Sequence, residues 1–275
     1  MKNKSFCALG AVYGGDDPDY FELALLSVIK QTLRVPICLV IDGPIPKRLE
    51  EVLAKHIDEI DHLIRRPQNV GLGPSLRHAL EQLKNNFEYA IRFDSDDINY
   101  GNRFEIMINA IEAEEFDLVG SHIEECDGPG LDNVISMRKV PIEPSEIISK
   151  MALRNPFNHP SVAFRIEAVL AAGNYEDVPF FEDWHLWAKM VAGNSHVGNI
   201  DEPLVKFRYS PKMLSRRRGL KYIKYEFNFY RKLWILRSFG TFRILPIMFL
   251  RLLTRFLPGD AFRRIYLVAR RVFDA

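Results

Sequence analysis

The chain has 275 residues, of which 47% are hydrophobic and 27% charged; this allows one large domain with an appendage, or two small domains, and excludes a disordered protein. Three cysteines without a Cys-x-x-Cys spacing (Cys7, Cys38 and Cys126) argue against a disulfide framework and a zinc site, and favour a reducing compartment. The net charge of +1 conceals a division, because residues 206–275 contain 18 Lys and Arg against three acidic residues, a net charge of +15, whereas the rest of the chain carries −14. Different partners are therefore expected for the acidic body and the basic C-terminal segment.

The first 122 residues alternate short apolar runs with helical periodicity. Strands are predicted at residues 6–12, 37–41, 62–64, 89–93 and 117–122, and helices at residues 20–31, 49–56, 74–83 and 103–113. This alternation predicts an α/β fold, with right-handed strand–helix–strand units on a mostly parallel sheet flanked by helices. Ligands on such sheets bind at the carboxyl ends of the strands, where Tyr13, Asp42 and Asp94 are found.

Three carboxylates, Asp94, Asp96 and Asp97, follow the predicted strand at residues 89–93. In extended backbone Asp94 and Asp96 share a face, and like charges this close are costly unless a cation neutralises them. A hard divalent cation, Mn²⁺ or Mg²⁺, is the usual neutralising partner, and such an ion commonly holds substrate phosphates as well. The pattern therefore predicts a metal-bound diphosphate site, and the alternative interpretation is a solvated acidic turn.

Two further loops could hold the nucleotide half of such a ligand. Asp42 either accepts a hydrogen bond from a uracil N–H or caps the turn that follows it, and both roles stay open. The segment with Asn69, Gly71 and Gly73 allows a ligand to approach the backbone closely, because glycine has no Cβ. This segment lacks the third glycine of a dinucleotide fingerprint and the Gly-Lys-Ser/Thr of a P-loop, so by itself it predicts only a loop at a helix start.

An acidic pair, Glu182 and Asp183, begins a predicted helix in the less regular region of residues 123–205. The aromatic residues around it, Trp184 among them, would partly desolvate the two carboxylates and raise their pKa toward that of a useful general base. An aromatic face is also a suitable surface for a sugar ring. The alternative role of the pair is a favourable interaction with the helix dipole.

The basic segment at residues 206–275 is mostly helical by pattern, and it lacks the roughly 20 apolar residues that a membrane-spanning helix needs. Arg251 and Arg255 lie one turn apart beside Phe249 and Phe256, as in basic amphipathic helices that bind the membrane interface and prefer anionic lipid. The alternatives are a helical appendage packed on the body and nucleic-acid binding, which is not expected because no nucleic-acid module accompanies the charge. The N-terminus does not resemble a signal peptide.

The order of these motifs resembles glycosyltransferase family 2, in particular the branch that builds bacterial O-antigens and exopolysaccharides. The motifs are Ala11-Val12-Tyr13, Ser27-Val28-x-x-Gln31-Thr32, Ile41-Asp42-Gly43, Asn69-x-Gly71-Leu72-Gly73, Asp94-Ser95-Asp96-Asp97, Asn155-Pro156-Phe157-Asn158-His159-Pro160, Glu182-Asp183 and Arg216-Arg217-Arg218-Gly219. The resemblance covers residues 4–220. The chain departs from the family pattern at residues 13–17, where the loop after the first strand is longer and more acidic.

The resemblance implies a GT-A fold, a nucleotide-diphosphate sugar as donor, an inverting reaction and a divalent metal, Mn²⁺ or Mg²⁺. By this match Asp42 contacts the base, Asp94 contacts the ribose or the metal, and Asp96 is the principal metal ligand. The full set of implied nucleotide-sugar contacts is Ala11, Val12, Tyr13, Asp42, Asn69, Gly71, Asp94, Ser95 and Asp96.

The same match implies the residues on the acceptor side. Asp183 is expected to be the general base, with Glu182 beside it. Asn158, His159 and Trp184 are expected to contact the acceptor.

Together these observations predict an inverting, metal-dependent hexosyltransferase, peripheral to the cytoplasmic face of a bacterial inner membrane. Residues 1–205 would form the catalytic domain, with a nucleotide-sugar half at 1–122 and an acceptor half at 123–205, and residues 206–275 would form a membrane-associating tail. The expected donor is a UDP-hexose, glucose or galactose, and the expected acceptor is a sugar on a polyprenyl diphosphate lipid. The alternatives are a nucleotidyltransferase that makes sugar nucleotides, against which the acidic loop at residues 10–17 argues, and a non-catalytic membrane scaffold.

Overall fold

The computed structural model describes residues 5–210, 219–257 and 265, and within them one nine-stranded sheet is flanked by helices. The strands are β1 (Phe6–Tyr13), β2 (Ile37–Asp42), β3 (His62–Arg65), β4 (Tyr89–Arg92), β5 (Ile98–Asn99), β6 (Leu118–Asp127), β7 (Asn133–Arg138), β8 (Ala163–Arg165) and β9 (Val197–Arg208). The helices are α1 (Pro18–Ile29), α2 (Lys47–Lys55), α3 (Leu72–Leu83), α4 (Arg103–Glu114), α5 (Pro144–Lys150), α6 (Ile166–Ala171), α7 (Glu182–Ala192), α8 (Gly219–Ile235) and α9 (Thr241–Thr254).

The sheet order is β3-β2-β1-β4-β8-β6-β9-β5, with β7 paired to the later part of β6. The strands β3, β2, β1 and β4 run parallel, as the alternation of strands and helices predicts. Beyond β4 the sheet is mixed, because β8 is antiparallel to both β4 and β6, and β9 is parallel to β6 but antiparallel to β5. The predicted parallel arrangement therefore belongs to the N-terminal half of the sheet.

Alternate residues of the central strands enter two separate cores, one on each face of the sheet. In β2, Cys38 and Val40 pack on the side of α3, α6, α7 and α8, whereas Leu39 and Ile41 pack on the side of α1, α2 and α4. Successive side chains of a strand point to opposite faces, so a strand covered on both sides must be apolar throughout. This explains the continuous apolar run at residues 37–41.

Helix α1 begins earlier than its apolar periodicity indicates. The Asp17 carboxylate Oδ1 accepts hydrogen bonds from the backbone N–H groups of Asp19 (2.9 Å) and Tyr20 (3.2 Å), and Pro18 occupies the first helical position. An acidic N-cap followed by proline is a strong helix start, because the cap satisfies free N–H groups and proline has none to satisfy. Asp17 is thereby committed to the helix cap.

The region at residues 123–205, which is less regular by sequence, completes the sheet. β6 continues to Asp127 and turns into the hairpin strand β7, and the long strand β9 inserts between β6 and β5. The β6–β9 register shifts near His122, so side-chain alternation is interrupted there and the sequence shows no clean period. β9 ends at Arg208, past residue 205, where the sequence prediction divides catalytic domain from tail.

The described part of the C-terminal segment packs on the body through α8. Phe229 of α8 stacks on Phe181 with ring centroids 4.7 Å apart, and it also contacts the Trp184 ring at 4.6 Å. Tyr222 and Tyr230 of α8 are buried in the same core. Residues 219–257 therefore share a core with α7, which agrees with the alternative of a packed helical appendage.

Two arginines, Arg251 in α9 and Arg255 directly after it, point into the protein. Glu226 of α8 is 0% exposed and accepts hydrogen bonds from Arg251 Nε (2.8 Å) and from Arg255 Nε (2.7 Å) and Nη2 (2.9 Å). The prediction that Arg251 and Arg255 form a lipid-facing basic stripe is therefore wrong, because a buried carboxylate attracts both side chains inward. The motif arginines at 216–218 and the predicted helical segment beyond residue 257 lie outside the described residues.

In the portion of the chain that the structure describes, every helix is too short or too polar to cross a membrane.

Candidate active site

A cleft of about 300 Å³ opens at the carboxyl ends of β1, β2 and β4. The sheet register aligns Tyr13, the last residue of β1, with Asp42, the last residue of β2, and Asp94 follows closely after β4. The cleft is lined by Ala11, Val12, Tyr13, Asp16, Asp42, Asn69, Gly71, Leu72, Asp94, Ser95 and Asp96. The structure thus brings together all nine residues that the sequence assigns to nucleotide-sugar binding, at the edge of the sheet where α/β folds bind ligands.

The carboxylate of Asp42 organises the loop that precedes α3. Its Oδ1 accepts a hydrogen bond from the backbone N–H of Val70 (3.0 Å), and its Oδ2 accepts one from Gly71 (2.8 Å). Gly71 has a φ of +94°, which glycine adopts without steric cost, and a Cβ on Gly43 (φ +84°) would meet the backbone of Asn69. Asp42 therefore fixes the loop across from it instead of capping its own turn. Its contact with a nucleotide base stays a prediction.

Asp16 is an acidic residue of the cleft that the sequence did not assign to the site. Its Oδ2 accepts hydrogen bonds from the backbone N–H of Tyr13 (3.1 Å) and from the hydroxyl of Ser95 (2.8 Å). Burial, reinforced by the charge of Asp94, raises the pKa of Asp16 in spite of these two hydrogen bonds. The acidic loop that departs from the family pattern therefore places a carboxyl group beside the Asp-x-Asp motif.

Asp94 is paired with a buried arginine. Nη2 of Arg92, at the end of β4 and 1% exposed, donates a hydrogen bond to Oδ1 of Asp94 at 2.5 Å. Within the described chain, Nε and Nη1 of Arg92 have no hydrogen-bond partner. A buried guanidinium whose donors are only partly used is costly. Asp94 is therefore partly neutralised by the protein itself.

Asp96 stands in the most strongly acidic surroundings of the cleft. Poor hydration and then repulsion from Asp94 and Asp16 raise the pKa of Asp96 to about 6. The residue as a whole is exposed, so we give more weight to the repulsion than to burial. A bound cation would relieve this repulsion.

Among residues 5–210, 219–257 and 265, no three His, Cys, Asp or Glu side chains are grouped as a complete metal site. Mn²⁺ and Mg²⁺ are commonly held by one or two carboxylates together with substrate phosphates and water. Because Asp96 and Asp94 supply hard oxygen ligands whose mutual repulsion calls for a cation, these two residues fit such an ion.

Arg208, the last residue of β9, holds the loop that carries the aspartates. Its Nε donates to the carbonyl of Asp96 (3.0 Å), and its Nη1 and Nη2 donate to two carbonyls of the β6–β7 turn (2.8 and 3.1 Å). Its guanidinium lies 3.6 Å from the ring centroid of Tyr20, and its backbone N–H donates to Oδ1 of Asp97 (2.8 Å). This hydrogen bond anchors the loop from inside the protein. Asp97 is buried, and burial raises its pKa well above its usual range.

The predicted acidic pair begins α7. Oδ2 of Asp183 accepts a hydrogen bond from Nδ2 of Asn155 at 2.7 Å. Burial, and then the charge of Asp183, raises the pKa of Glu182 to about 7. Phe180, just before the helix, has a φ of +70°, which costs a non-glycine residue on the order of 1 kcal/mol and is typical of functional sites.

The start of α7 lies next to the donor cleft. A Cβ on Gly73, in the first turn of α3, would lie 3.2 Å from Cγ of Glu182, so only glycine allows this approach without displacement. The hydroxyl of the buried Tyr175 is affected by both groups of acids, because burial and the carboxylates of Asp183 and Asp94 raise the pKa of Tyr175. The acids of α7 and those after β4 therefore flank one common region.

Two of the predicted acceptor contacts have side chains that point into the interior. Asn158 is 0% exposed, and its Nδ2 donates to the carbonyl of Ser121 (2.9 Å). Trp184 is 5% exposed, and its Nε1 donates to the carbonyl of Met151 (2.9 Å). Both side chains are built into the interior, and their contact with an acceptor stays a prediction.

His159, the third predicted acceptor contact, is half-buried. Its Nε2 shares a hydrogen bond of 3.0 Å with the Tyr175 hydroxyl, and its ring packs near Trp187. Burial, and then the charge of Arg92, holds the pKa of His159 well below its usual range. Its contact with a ligand stays a prediction.

The family model described as "Glycosyl transferase family 2" matches residues 12–171, which include every residue of the cleft lining except Ala11. The chain belongs to glycosyltransferase family 2. The predicted family is thereby confirmed, and glycosyl transfer is the activity of the domain.

Two relatives of this family 2 glycosyltransferase are themselves bacterial glycosyltransferases. It is 32% identical over 264 residues to the amylovoran biosynthesis glycosyltransferase AmsE of Erwinia amylovora, covering 95% of this chain and 97% of that one. It is 32% identical over 270 residues to an Escherichia coli UDP-Gal:alpha-D-GlcNAc-diphosphoundecaprenol beta-1,3-galactosyltransferase, covering 94% of this chain and 96% of that one.

The fold is similar to that of a solved mannosyltransferase. PcManGT from Pyrobaculum calidifontis, in complex with GDP-Man and Mn²⁺, gives a TM-score of 0.61 over 99% of this chain and 84% of that one, at 13% identity. The GT-A fold class of this family 2 glycosyltransferase is thereby confirmed.

Sequence reasoning missed several side chains of the site in this family 2 glycosyltransferase. Arg92 carried a signal, because a charged residue directly after the apolar run of β4 needs a partner nearby. Asp16 carried a weaker one, as an acid in the loop after the first strand. Arg208 carried none, since only the pairing of β9 with β5 brings it to the motif.

Proposed function

We propose that this enzyme transfers a hexose from a UDP-sugar to a sugar carried on a polyprenyl diphosphate lipid, with inversion at the anomeric carbon. The observation that carries the proposal is the convergence of Asp42, the loop at residues 69–72 and the Asp94–Asp96 carboxylates around one cleft beside Asp183. The Escherichia coli relative is named for transfer from UDP-Gal to a diphosphoundecaprenol-linked GlcNAc, which supports this choice of donor and acceptor class.

The donor nucleotide would occupy the part of the cleft between β1 and β2. Tyr13, 45% exposed in the cleft, offers a ring for the base, and Asp42 is its neighbour in the sheet register. Asn69 and Gly71 would contact the nucleotide through the loop that Asp42 orders. The absence of a Cβ on Gly71 lets the ligand approach the backbone there.

Asp96 and Asp94 would hold a divalent metal, Mn²⁺ or Mg²⁺. Such an ion, when bound, neutralises the diphosphate and acts as a Lewis acid toward the leaving group. Within the protein, Arg92 keeps Asp94 in place at 2.5 Å, and Arg208 fixes the backbone carbonyl of Asp96 at 3.0 Å. The carboxylate of Asp94 and the backbone of Asp96 are thus positioned before any ligand arrives.

Asp183 would act as the general base. Its carboxylate takes the proton from the acceptor hydroxyl as that oxygen attacks the anomeric carbon from the side opposite the nucleoside diphosphate. The hydrogen bond from Asn155 fixes the orientation of the carboxylate, and Glu182 beside it, with a pKa of about 7, is partly neutral near pH 7. Direct displacement with inversion requires no protein nucleophile.

The acceptor would enter from the side of α7, near His159. We place residues 1–205 in the catalytic domain and residues 206–275 in a tail that keeps the enzyme peripheral to the cytoplasmic face of the inner membrane. The net charge of +15 in that segment supports attraction to anionic lipid.

A donor and acceptor screen tests this proposal. Purified protein is mixed with Mn²⁺ and each of several UDP-, GDP- and dTDP-sugars, and nucleoside diphosphate release is measured with and without a lipid-linked GlcNAc or GalNAc analogue. We expect acceptor-stimulated UDP release with one hexose, loss of release in EDTA, and a product of inverted configuration by NMR. Release of a different nucleotide, or retention of configuration, would contradict the proposed donor or mechanism.

Two variants locate the reaction within the protein. Asp183→Asn should abolish acceptor-dependent transfer and leave UDP–Mn²⁺ binding by calorimetry unchanged. Asp58→Asn, at an exposed position away from the cleft, is the matched control and should behave as wild type.

A further inference from the structure

Helix α9 is apolar on two sides: Ile244 is buried in the core with Ile247 and Met248 packed against it, and other apolar side chains face away from the protein. Its outward residues are Leu245, Phe249, Leu250 and Leu253, with Phe256 just after the helix, and they are between 47% and 65% exposed. These five residues form the apolar face. A helix that only covers a core has one apolar stripe inside and polar or charged side chains in water, so the apolar face is more than this packing requires.

The outward direction of the apolar face is fixed by the contacts on the opposite side of the helix. Arg251 and Arg255 are held by the buried carboxylate of Glu226. Arg251 Nη1 also donates to the carbonyl of Leu153 (3.0 Å), and its guanidinium lies 5.5 Å from the ring of Trp184. Rolling α9 to bury the apolar face would break this network, so the exposure of the face follows from the fold.

The neighbouring helix α8 adds positive charge and aromatic side chains to this part of the surface. Lys221, Lys224 and Arg231 are exposed on α8, as are Phe227 and Trp234. By sequence, the single acidic residue between positions 219 and 257 is Glu226, and that side chain is fully buried. The outer surface of α8 and α9 therefore combines apolar groups with positive charge and carries no negative charge.

We infer that α8 and α9 form a docking surface for an anionic lipid bilayer. The apolar face enters the interface, and Lys221, Lys224 and Arg231 contact lipid phosphates, which is the chemistry of helices that lie in the membrane plane. A second copy of this chain is disfavoured, because a symmetric contact would bring the same lysines and arginines together. The inference deepens the proposed function and rests on it for the lipid-linked acceptor.

Trp234 provides a direct signal for docking. The chain has three tryptophans, and Trp184 and Trp187 are 5% and 0% exposed, whereas Trp234 is 46% exposed. Adding vesicles of phosphatidylcholine with phosphatidylglycerol should shift the emission of the full chain to shorter wavelength, and brominated lipid should quench it. Vesicles of phosphatidylcholine alone should give a much weaker change, since each Lys or Arg near an anionic surface contributes about fivefold to binding.

A double substitution tests the apolar face, with vesicle sedimentation of the full chain as the measurement. Phe249→Ser with Leu253→Ser should weaken binding about tenfold or more, because two large apolar side chains no longer enter the interface. Val134→Ser with Met137→Ser is the matched control, since these side chains of β7 are also exposed but lie elsewhere. Lys221→Gln with Lys224→Gln and Arg231→Gln should remove most of the dependence on phosphatidylglycerol.

Several outcomes would overturn the inference. Wild-type binding that Phe249→Ser with Leu253→Ser leaves unchanged would place the contact elsewhere in the chain. A dimer by light scattering that this variant dissociates would make the face a protein interface. A short-chain, water-soluble acceptor analogue separates the two proposals. If the protein transfers sugar to this analogue but does not bind vesicles, only the docking surface is contradicted. If it binds vesicles but transfers no sugar, only the proposed reaction is contradicted.

Discussion

At the scale of single residues, the acids at the start of α7 are not equivalent. Asp183 is held by Asn155, whereas Glu182 packs against α3 at Gly73 and has a pKa raised to about 7 by burial. A carboxyl group that is neutral next to a charged one reduces the repulsion within the pair. The local structure therefore separates the two roles that the sequence joined in one acidic pair.

This separation predicts how Glu182→Gln changes stability with pH. The pKa of Glu182 is higher in the folded protein than in the unfolded chain. Between these two pKa values the folded state binds a proton that the unfolded chain has lost. The wild type therefore loses stability as the pH rises from 5 to 8. Glutamine mimics the neutral form and does not titrate. Between pH 5 and pH 8 the free energy of unfolding of the wild type should therefore fall by about 2 kcal/mol relative to that of the variant, which is less than a fully buried group would give. Urea unfolding at both pH values measures it.

Glu167→Gln, at an exposed position of α6, is the control for this measurement. It should show no comparable change between pH 5 and pH 8. An equal response of both variants would mean that Glu182 ionises normally in the folded protein.

The Asp-x-Asp motif gives a second prediction at this scale. Asp96→Asn should weaken Mn²⁺ binding and lower kcat/KM at least about 100-fold, because a Lewis acid contributes several kcal/mol to the transition state. Asp97→Asn is the matched control: the side chain is buried, burial already raises its pKa, and asparagine can still accept the N–H of Arg208. Calorimetric titration of Mn²⁺ in the presence of UDP compares them, and equal Mn²⁺ affinities would remove Asp96 from the metal site.

The cleft was predictable residue by residue because its members follow parallel strands, and a strand end can be read from local pattern. The acceptor side was not, since burial is a property of the whole fold. Asn158 and Trp184 are polar or amphipathic residues in a promising motif, but their polar atoms bond to backbone carbonyls inside the protein. Nothing adjacent in the sequence distinguishes such a residue from one that faces a ligand.

At the scale of elements, the loop between β4 and β5 depends on a strand from the far end of the domain. Arg208 of β9 bonds the Asp96 carbonyl and two carbonyls of the β6–β7 turn. The positive charge of Arg208 also lowers the pKa of Asp96, against the larger effects that raise it. Arg208 therefore both holds the backbone of the motif and lowers the pKa of Asp96 by its charge.

Two substitutions at Arg208 separate these effects. Arg208→Met should raise the pH at which Mn²⁺ binding is half-maximal and should cost about 1–2 kcal/mol of stability, because three carbonyls lose their donors. Arg208→Lys keeps the charge but not the planar fork, so it should lose a similar amount of stability without moving the pH profile. Thermal unfolding and Mn²⁺ titration across pH measure the two quantities. A shift of the profile in both variants would contradict the assignment to charge.

Most elements of the first half were predictable because the central strands are largely apolar and the helices keep a regular period. The short strands β5 and β8 were not predicted, and neither were β7 and β9. β7 is exposed on both faces, and β9 changes register against β6, so neither shows the alternation on which the prediction depends. Their positions follow from pairing with β6, which is a long-range property.

At the scale of the whole molecule, Glu226 joins the C-terminal helices to one another. Burial alone would raise its pKa, but the two arginines outweigh burial and lower it, so the carboxylate stays charged. Removing one member of a buried ionic group leaves the other charges unpaired. The orientation of α9 therefore depends on one carboxylate.

Glu226→Gln should lower the free energy of unfolding by about 3–5 kcal/mol near neutral pH. The loss should shrink in acid, because the wild type itself gives up this contribution as the pH falls through the depressed pKa of Glu226. Glu51→Gln breaks an exposed pair with Lys47, of side-chain exposures 61% and 90%, and should cost less than about 1 kcal/mol. Chemical denaturation of both variants checks the contrast, and similar losses would mean that the buried network contributes no more than a surface pair.

The order of the strands has a consequence for how the enzyme is made. The motif aspartates lead directly into β5, and the partner of β5 is β9, which ends at Arg208. During synthesis the units that form the donor cleft leave the ribosome early and can fold on local contacts, but β5 has no neighbour to pair with until the chain has passed Arg208. In a nascent chain, therefore, the nucleotide cleft would be nearly complete, but the loop with the motif aspartates would still lack its contacts with Arg208 and β9. We therefore expect transferase activity to begin only when β9 has paired with β5.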